Sequence, residues 1–127
     1  MSDGFGTRHW PVEIRHKKEQ KALEVEFNDG KTFLLPAEYL RTQSPSAEVQ
    51  GHSPEQRQVV GGRRHVGIIN ITPVGNYAVQ IAFDDLHDTG IYSWDYLYHL
   101  GENHDAIWAG YLRELEEKGL TRDPPRR

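Results

Sequence analysis

The chain has 127 residues, with 36% hydrophobic and 27% charged side chains, which suits one domain with one modest core. That is short for an oxygenase barrel or a complete cofactor-binding enzyme, and the absence of cysteine excludes disulfides, zinc fingers, iron–sulfur ligation and thiol chemistry within the chain. The net charge is −4, and its excess falls entirely between Val66 and Leu112, a stretch with six acids and no Lys or Arg. Such a surface repels phosphate backbones, so nucleic acid is not an expected partner.

The N-terminus, MSDGFGTRHW, has no apolar run, and no stretch approaches the roughly 18 apolar residues of a membrane span. No membrane is therefore expected, and the expected setting is a bacterial-type cytoplasm. Residues 1–9 are small, polar and glycine-rich, and read as disordered. From Pro11 the pattern is strand-like: Val12 and Ile14 alternate with Glu13 and Arg15. After a charged turn at Lys17–Lys21, Leu23, Val25 and Phe27 alternate with Glu24 and Glu26. Asn28-Asp29-Gly30 is a hairpin signal, and Thr32–Leu35 returns as its partner strand. Pro36 ends that strand, and Ala37–Arg41 predicts one helical turn.

The next stretch, RTQSPSAEVQGHSP at 41–54, has no apolar rhythm, and the chain stays poor in aliphatics to His65. A loop of that length is expected to be functional or disordered. Gly61-Gly62 reads as a flexible hinge. Val66–Val74 restarts the sheet, Gly75-Asn76 suits a type II′ turn, and Tyr77, Val79, Ile81 and Phe83 alternate as a clear strand. Asp84–Gly90 is an acidic loop and Ile91-Tyr92 a short strand. Ser93 is a natural N-cap for a helix over Trp94–Leu100, with Gly101 as its stop. Asn103 is expected to cap a last helix whose apolar face is Ile107, Trp108, Tyr111, Leu112 and Leu115. Gly119 suits the position just past that helix, with Leu120 as its hydrophobic contact. Residues 121–127 read as a tail. The expected fold is α+β: a mainly antiparallel sheet of hairpins, with a short helix and a C-terminal amphipathic helix packed on it. The expected domain runs from 10 to 120, with 41–65 as a long loop.

Asp84-Asp85-Leu86-His87-Asp88 gathers three carboxylates and an imidazole, a set that can hold a divalent cation. His87 with Asp85 or Asp88 is the candidate. His52, His65, His99 and His104 are possible second histidines, and their spacing selects none. The plain alternative is an Asp-rich turn formed for backbone reasons. Nucleophilic catalysis has little support: there is no G-x-S-x-G, and Ser44 and Ser46 flank Pro45 as ordinary turn residues. Trp108 and Tyr111 are expected in the core. Trp94, beside the acidic loop in sequence, is a candidate recognition residue.

The segments VEFNDGKTFLLPAEYLRTQSPSAEVQGH and ITPVGNYAVQIAFDDLHDTGIYSWDYLYHLG together resemble the gamma-butyrobetaine-hydroxylase-like N-terminal domain family, a domain of unknown function, from about Trp10 to Gly119. In the hydroxylases that domain precedes an oxygenase barrel and holds a structural zinc with three cysteines and a histidine. The resemblance implies that the ligand positions here are Ser44, Ser46, Val49 and His87. Hydroxyls and an isopropyl group have replaced the thiolates, so this is a lost zinc site, and no metal or other cofactor is expected. The oxygenase part is absent from this chain, so hydroxylase activity is not implied. Related domains fused to scaffold ATPases of iron–sulfur cluster assembly imply an accessory role.

The expected function is that of a non-catalytic accessory domain binding an unidentified protein partner. The expected surface comprises Arg41, Ser44, Pro45, Ser46, Glu48, Asp84, Asp85, His87, Asp88 and Trp94. Arg41 and Glu48 would pair with the partner or with each other. The alternative is iron or zinc delivery or sensing through His87, Asp85 and Asp88. A small enzyme is the least expected.

Overall fold

The computed structural model describes residues 8–51 and 53–125. The expected disorder of residues 1–7, the candidate ligand His52 and the last two tail residues lie outside this range. Two three-stranded antiparallel sheets follow one another, joined by short helices: α+β, as the pattern predicts.

The first sheet is β1 (Pro11–Lys17), β2 (Ala22–Phe27) and β3 (Thr32–Pro36), in that spatial order. Its register puts Val25 between Ile14 and Phe33, and Leu23 between His16 and Leu35, so the apolar rows coincide on one face. On the other face Arg15 reaches Glu13, Glu24 and Glu26 at 2.8, 2.9 and 3.0 Å, a cross-strand charge cluster in solvent. Gly30, at φ +89, makes the hairpin turn that Asn28-Asp29-Gly30 predicts. Residues 8–10 are ordered against this turn. Asn28 N–H donates to Trp10 O at 3.0 Å, and the His9 ring stacks on Tyr98 at 3.6 Å.

The second sheet is β4 (Ile68–Val74), β5 (Ala78–Phe83) and β6 (Gly90–Ser93). Val79, Ile81, Phe83 and Tyr92 are buried on its inner face and join Leu23, Val25, Phe27 and Leu35 in one core. β4 carries a bulge between Ile68 and Asn70, opposite Phe83 and Ala82. Gly75 at φ +52 closes the β4–β5 turn.

Among the described residues there are four α-helices: α1 (Ala37–Thr42), α2 (Ala47–Gln50), α3 (Trp94–Glu102) and α4 (His104–Glu117). Among the described residues, no helix is long and apolar enough to cross a membrane. Ser93 caps α3 as expected, its Oγ accepting from Tyr96 N–H. Gly101 does not stop α3, because the helix presses there against β3. A Cβ at Gly101 would lie 2.3 Å from the Phe33 ring. Asn103 does not cap α4; its side-chain amide donates to His99 O at 3.0 Å, closing α3 instead. Trp108 and Tyr111 pack inward, whereas Leu112, expected on the same face, is exposed. The Gly119 and Leu120 N–H groups donate to Glu116 and Leu115 carbonyls, the Schellman ending that Gly119 predicts.

The described part of the long polar segment is ordered with few aliphatics, of which Val49 is buried. It contains α2 and a 3-10 turn over Pro54–Gln56. Tyrosine hydroxyls hold its backbone from outside, Tyr96 to Gln43 O and Tyr111 to Val60 O (2.6 Å), while Tyr92 bonds Leu40 O in α1 just before it (2.5 Å). Burial pushes the Tyr111 hydroxyl up to about 12, and those of Tyr92 and Tyr96 upward as well, so all three act as neutral donors. Gly61-Gly62 is not a free hinge. Gly62 and Arg64 N–H donate to Thr121 and Arg122 carbonyls, which pins the segment read as a tail along the loop.

Candidate functional site

The polar loop and the β5–β6 turn face each other, and their side chains close into one network. Arg41 leaves the last turn of α1. Ser46 caps α2, its Oγ accepting from Glu48 N–H at 3.2 Å. Opposite, Leu86 N–H donates to Phe83 O (3.0 Å) and Phe83 N–H to His87 O (2.9 Å), which turns the chain back sharply. The turn sends His87 inward and Leu86 outward.

His87 lies 2.9 Å through Nε2 from Ser44 Oγ and 3.0 Å through Nδ1 from Glu48 Oε1. A carboxylate at Nδ1 requires the proton there, so Nε2 accepts from the Ser44 hydroxyl. Thr89 Oγ1 donates to Glu48 Oε1 (3.0 Å) and lies 2.7 Å from Ser46 Oγ. Asp85 sits beside this chain of bonds. Its Oδ2 accepts from Arg41 Nε (2.7 Å) and Arg63 Nε (2.6 Å), and its Oδ1 from His87 N–H (3.2 Å). Burial would raise the Asp85 carboxyl, but Arg41, the His87 amide and Arg63 hold it below its ordinary value. Burial, with Arg41 close by, pushes the His87 imidazole below its ordinary value against the pull of Glu48 and Asp85.

This order, hydroxyl to Nε2 and carboxylate to Nδ1, is that of a nucleophile, base and orienting acid. Sequence reasoning missed it, because the three residues share no motif. The surroundings enclose the serine. Ser44 is 0% exposed, and a Cβ on Gly90 would lie 2.6 Å from its Oγ.

The predicted surface divides. Arg41, Ser44, Ser46 and His87 are buried and hold the loop. Arg41 pairs with Asp85 and Glu48 with His87, not with each other. Glu48, Asp84 and Asp88 are exposed, while Pro45 and Asp85 are half-buried. Trp94 belongs elsewhere. Ile81 pairs with Gly90 at the acidic end of the β5–β6 hairpin and Ala78 with Ser93 at the other, so Trp94 follows the far end. Its indole donates to Asn76 O at 2.8 Å. Sequence proximity hid this, because a hairpin strand carries neighbours apart along its length.

For a metal, both His87 nitrogens are engaged and Asp85 is held by two guanidiniums. Among the described residues no group of three or more His, Asp or Glu is placed to hold an ion. His104 packs edge-on against Tyr39 and His99 lies by Tyr96, both outside this cluster.

Fold and site define a small α+β domain whose central polar loop is locked by buried hydrogen bonds. The model of the family "Gamma-butyrobetaine hydroxylase-like, N-terminal" matches residues 14–98, and the chain belongs to that family. Two solution structures determined by NMR are similar, with 42% and 41% identity, both at TM-score 0.80. The first alignment covers 94% of each chain; the second covers 99% of this chain and 93% of the other. A crystal structure of a protein with unknown function of the DUF971 family, from Acidithiobacillus ferrooxidans, is 41% identical at TM-score 0.61, covering 72% of this chain and 91% of that one. No curated protein matches.

Proposed function

We propose that the chain is a non-catalytic accessory domain that docks a protein partner through the acidic turn at 84–88 and the adjoining end of α2. One observation carries this reading. The reactive groups near the turn, Ser44, His87 and Asp85, are spent on internal bonds, while Asp84 and Asp88 stand in solvent beside Glu48, which is exposed though bonded to His87 and Thr89. A surface with fixed acids and no cation between Val66 and Leu112 favours a basic partner, and such complementarity sets on-rate and specificity. The family resemblance puts iron–sulfur assembly factors and oxygenases first among partners to try.

The test is affinity capture from a cell extract at two salt concentrations, beside an Asp84→Asn/Asp88→Asn chain. Specific capture that weakens with salt and with the double substitution supports the reading, since exposed charges are screened. Capture indifferent to both, or none, refutes it.

A further inference from the structure

Leu86 breaks two rules of stability at once. Its φ is +74, a left-handed conformation that a side chain with a Cβ disfavours, and it is 86% exposed, so burial returns nothing. For the fold alone, glycine suits this position better. The turn around it is nevertheless braced. Arg41 and Arg63 clamp Asp85, Asp85 holds the His87 amide, and Phe83 bonds both Leu86 and His87. The leucine is presented on a rigid mount.

It does not stand alone. Ile69, 60% exposed, sits in the β4 bulge opposite Phe83, at the same end of the hairpin as the turn. Ile91, 46% exposed, pairs with Gln80 on the face of the second sheet that turns away from the core. Asp84 and Asp88 flank the turn, and among the described residues neither carboxylate has a hydrogen-bond or ion-pair partner. A second copy of the chain meeting this surface face to face would set these acids against themselves.

Resting on the docking reading above, we propose that Leu86 is the anchor of the interface. It enters an apolar socket on a partner protein, Lys and Arg on the socket's rim meet Asp84 and Asp88, and Ile69 and Ile91 widen the contact. A pre-organised apolar anchor loses little freedom on binding, which compensates for a strained backbone in the free protein.

The full chain carrying a photo-reactive phenylalanine analogue at position 86 identifies the protein that covers this residue. That protein, purified, is then titrated against wild type, Leu86→Gly and Asp84→Asn/Asp88→Asn. Leu86→Gly is expected to weaken binding about tenfold or more while the Tm holds or rises. The double Asn variant is expected to weaken binding several-fold and flatten its salt dependence. Unchanged affinity of Leu86→Gly for a partner that wild type binds overturns the anchor and leaves the docking reading intact. A lower Tm for Leu86→Gly, or a cross-linked face that is acidic, also overturns it. If wild type captures nothing, both readings fall.

Discussion

Arg122 closes its guanidinium on the Glu38 carboxylate through two bonds, at 2.8 and 2.7 Å, and lies 5.2 Å over the Trp108 ring. Glu38 is 7% exposed, so this pair locks the C-terminal segment onto α1 and α4. Arg122→Ala leaves a buried carboxylate without its donor and is expected to lower stability by about 2 kcal/mol in urea unfolding. Glu38→Gln, which still accepts one bond, loses less. A loss of a few tenths for Arg122→Ala would make the pair incidental.

Gly90 allows the polar loop to touch the second sheet. A Cβ there meets Ser44 Oγ at 2.6 Å and the Tyr92 ring at 3.0 Å. Gly90→Ala is expected to cost about 1–3 kcal/mol through overpacking. Gly119→Ala, with open space around it, tests positive φ alone and should cost about 1 kcal/mol. Equal losses would show that the Ser44 approach is slack.

His87 makes stability depend on pH. Its folded pKa lies below the unfolded value, so the unfolded chain takes up the proton first as pH falls. Above about pH 6.5 this group has no pH effect; below that its contribution declines until the folded pKa is passed. Ser44, Glu48, Asp85 and Arg41 face the imidazole, and a His87→Gln chain keeps them all. The stability gap between wild type and His87→Gln should therefore narrow between about pH 7 and pH 5 in denaturant titrations. A gap that widens would reverse the sign of the shift.

The family resemblance implies that Ser44, Ser46, Val49 and His87 stand at zinc-ligand positions, and restoring thiolates there tests it. Ser44, Ser46 and Val49 are buried, and Ser44 Oγ already lies 2.9 Å from His87 Nε2. The triple variant Ser44→Cys, Ser46→Cys, Val49→Cys is expected to bind one zinc per chain and to show tetrahedral absorption with cobalt. If elemental analysis finds no stoichiometric metal, the proposed correspondence of positions is wrong.

The local part of this fold was legible. Alternation in β2 and β5, the Asn28-Asp29-Gly30 and Gly75 turns, the Ser93 cap and the Gly119 ending are each set within a few residues. What sequence hid is what distance decides. Gly101 reads as a helix stop because nothing local shows Phe33 against it. Segment 41–65 reads as a loose loop because its order comes from tyrosines and a histidine 43 to 53 positions away. The cluster was half legible: Ser44, Glu48, Asp85 and His87 stood out as polar residues, but the burial of Ser44 and His87 did not. Polar side chains give no periodic signal of which way they point, so Ser44 and His87 looked like surface.

Each three-stranded sheet pairs only strands adjacent in the chain, whereas Ser44 meets His87 across 43 residues. Pairing of neighbouring strands costs less closure entropy than that long-range contact, so the two meanders are expected to form before the serine–histidine bond. Substitutions at Ser44 or His87 then hasten unfolding and leave the refolding rate nearly untouched. On that order of events the bond is expected to act as a clasp, setting how long the native state lasts more than how fast it is reached.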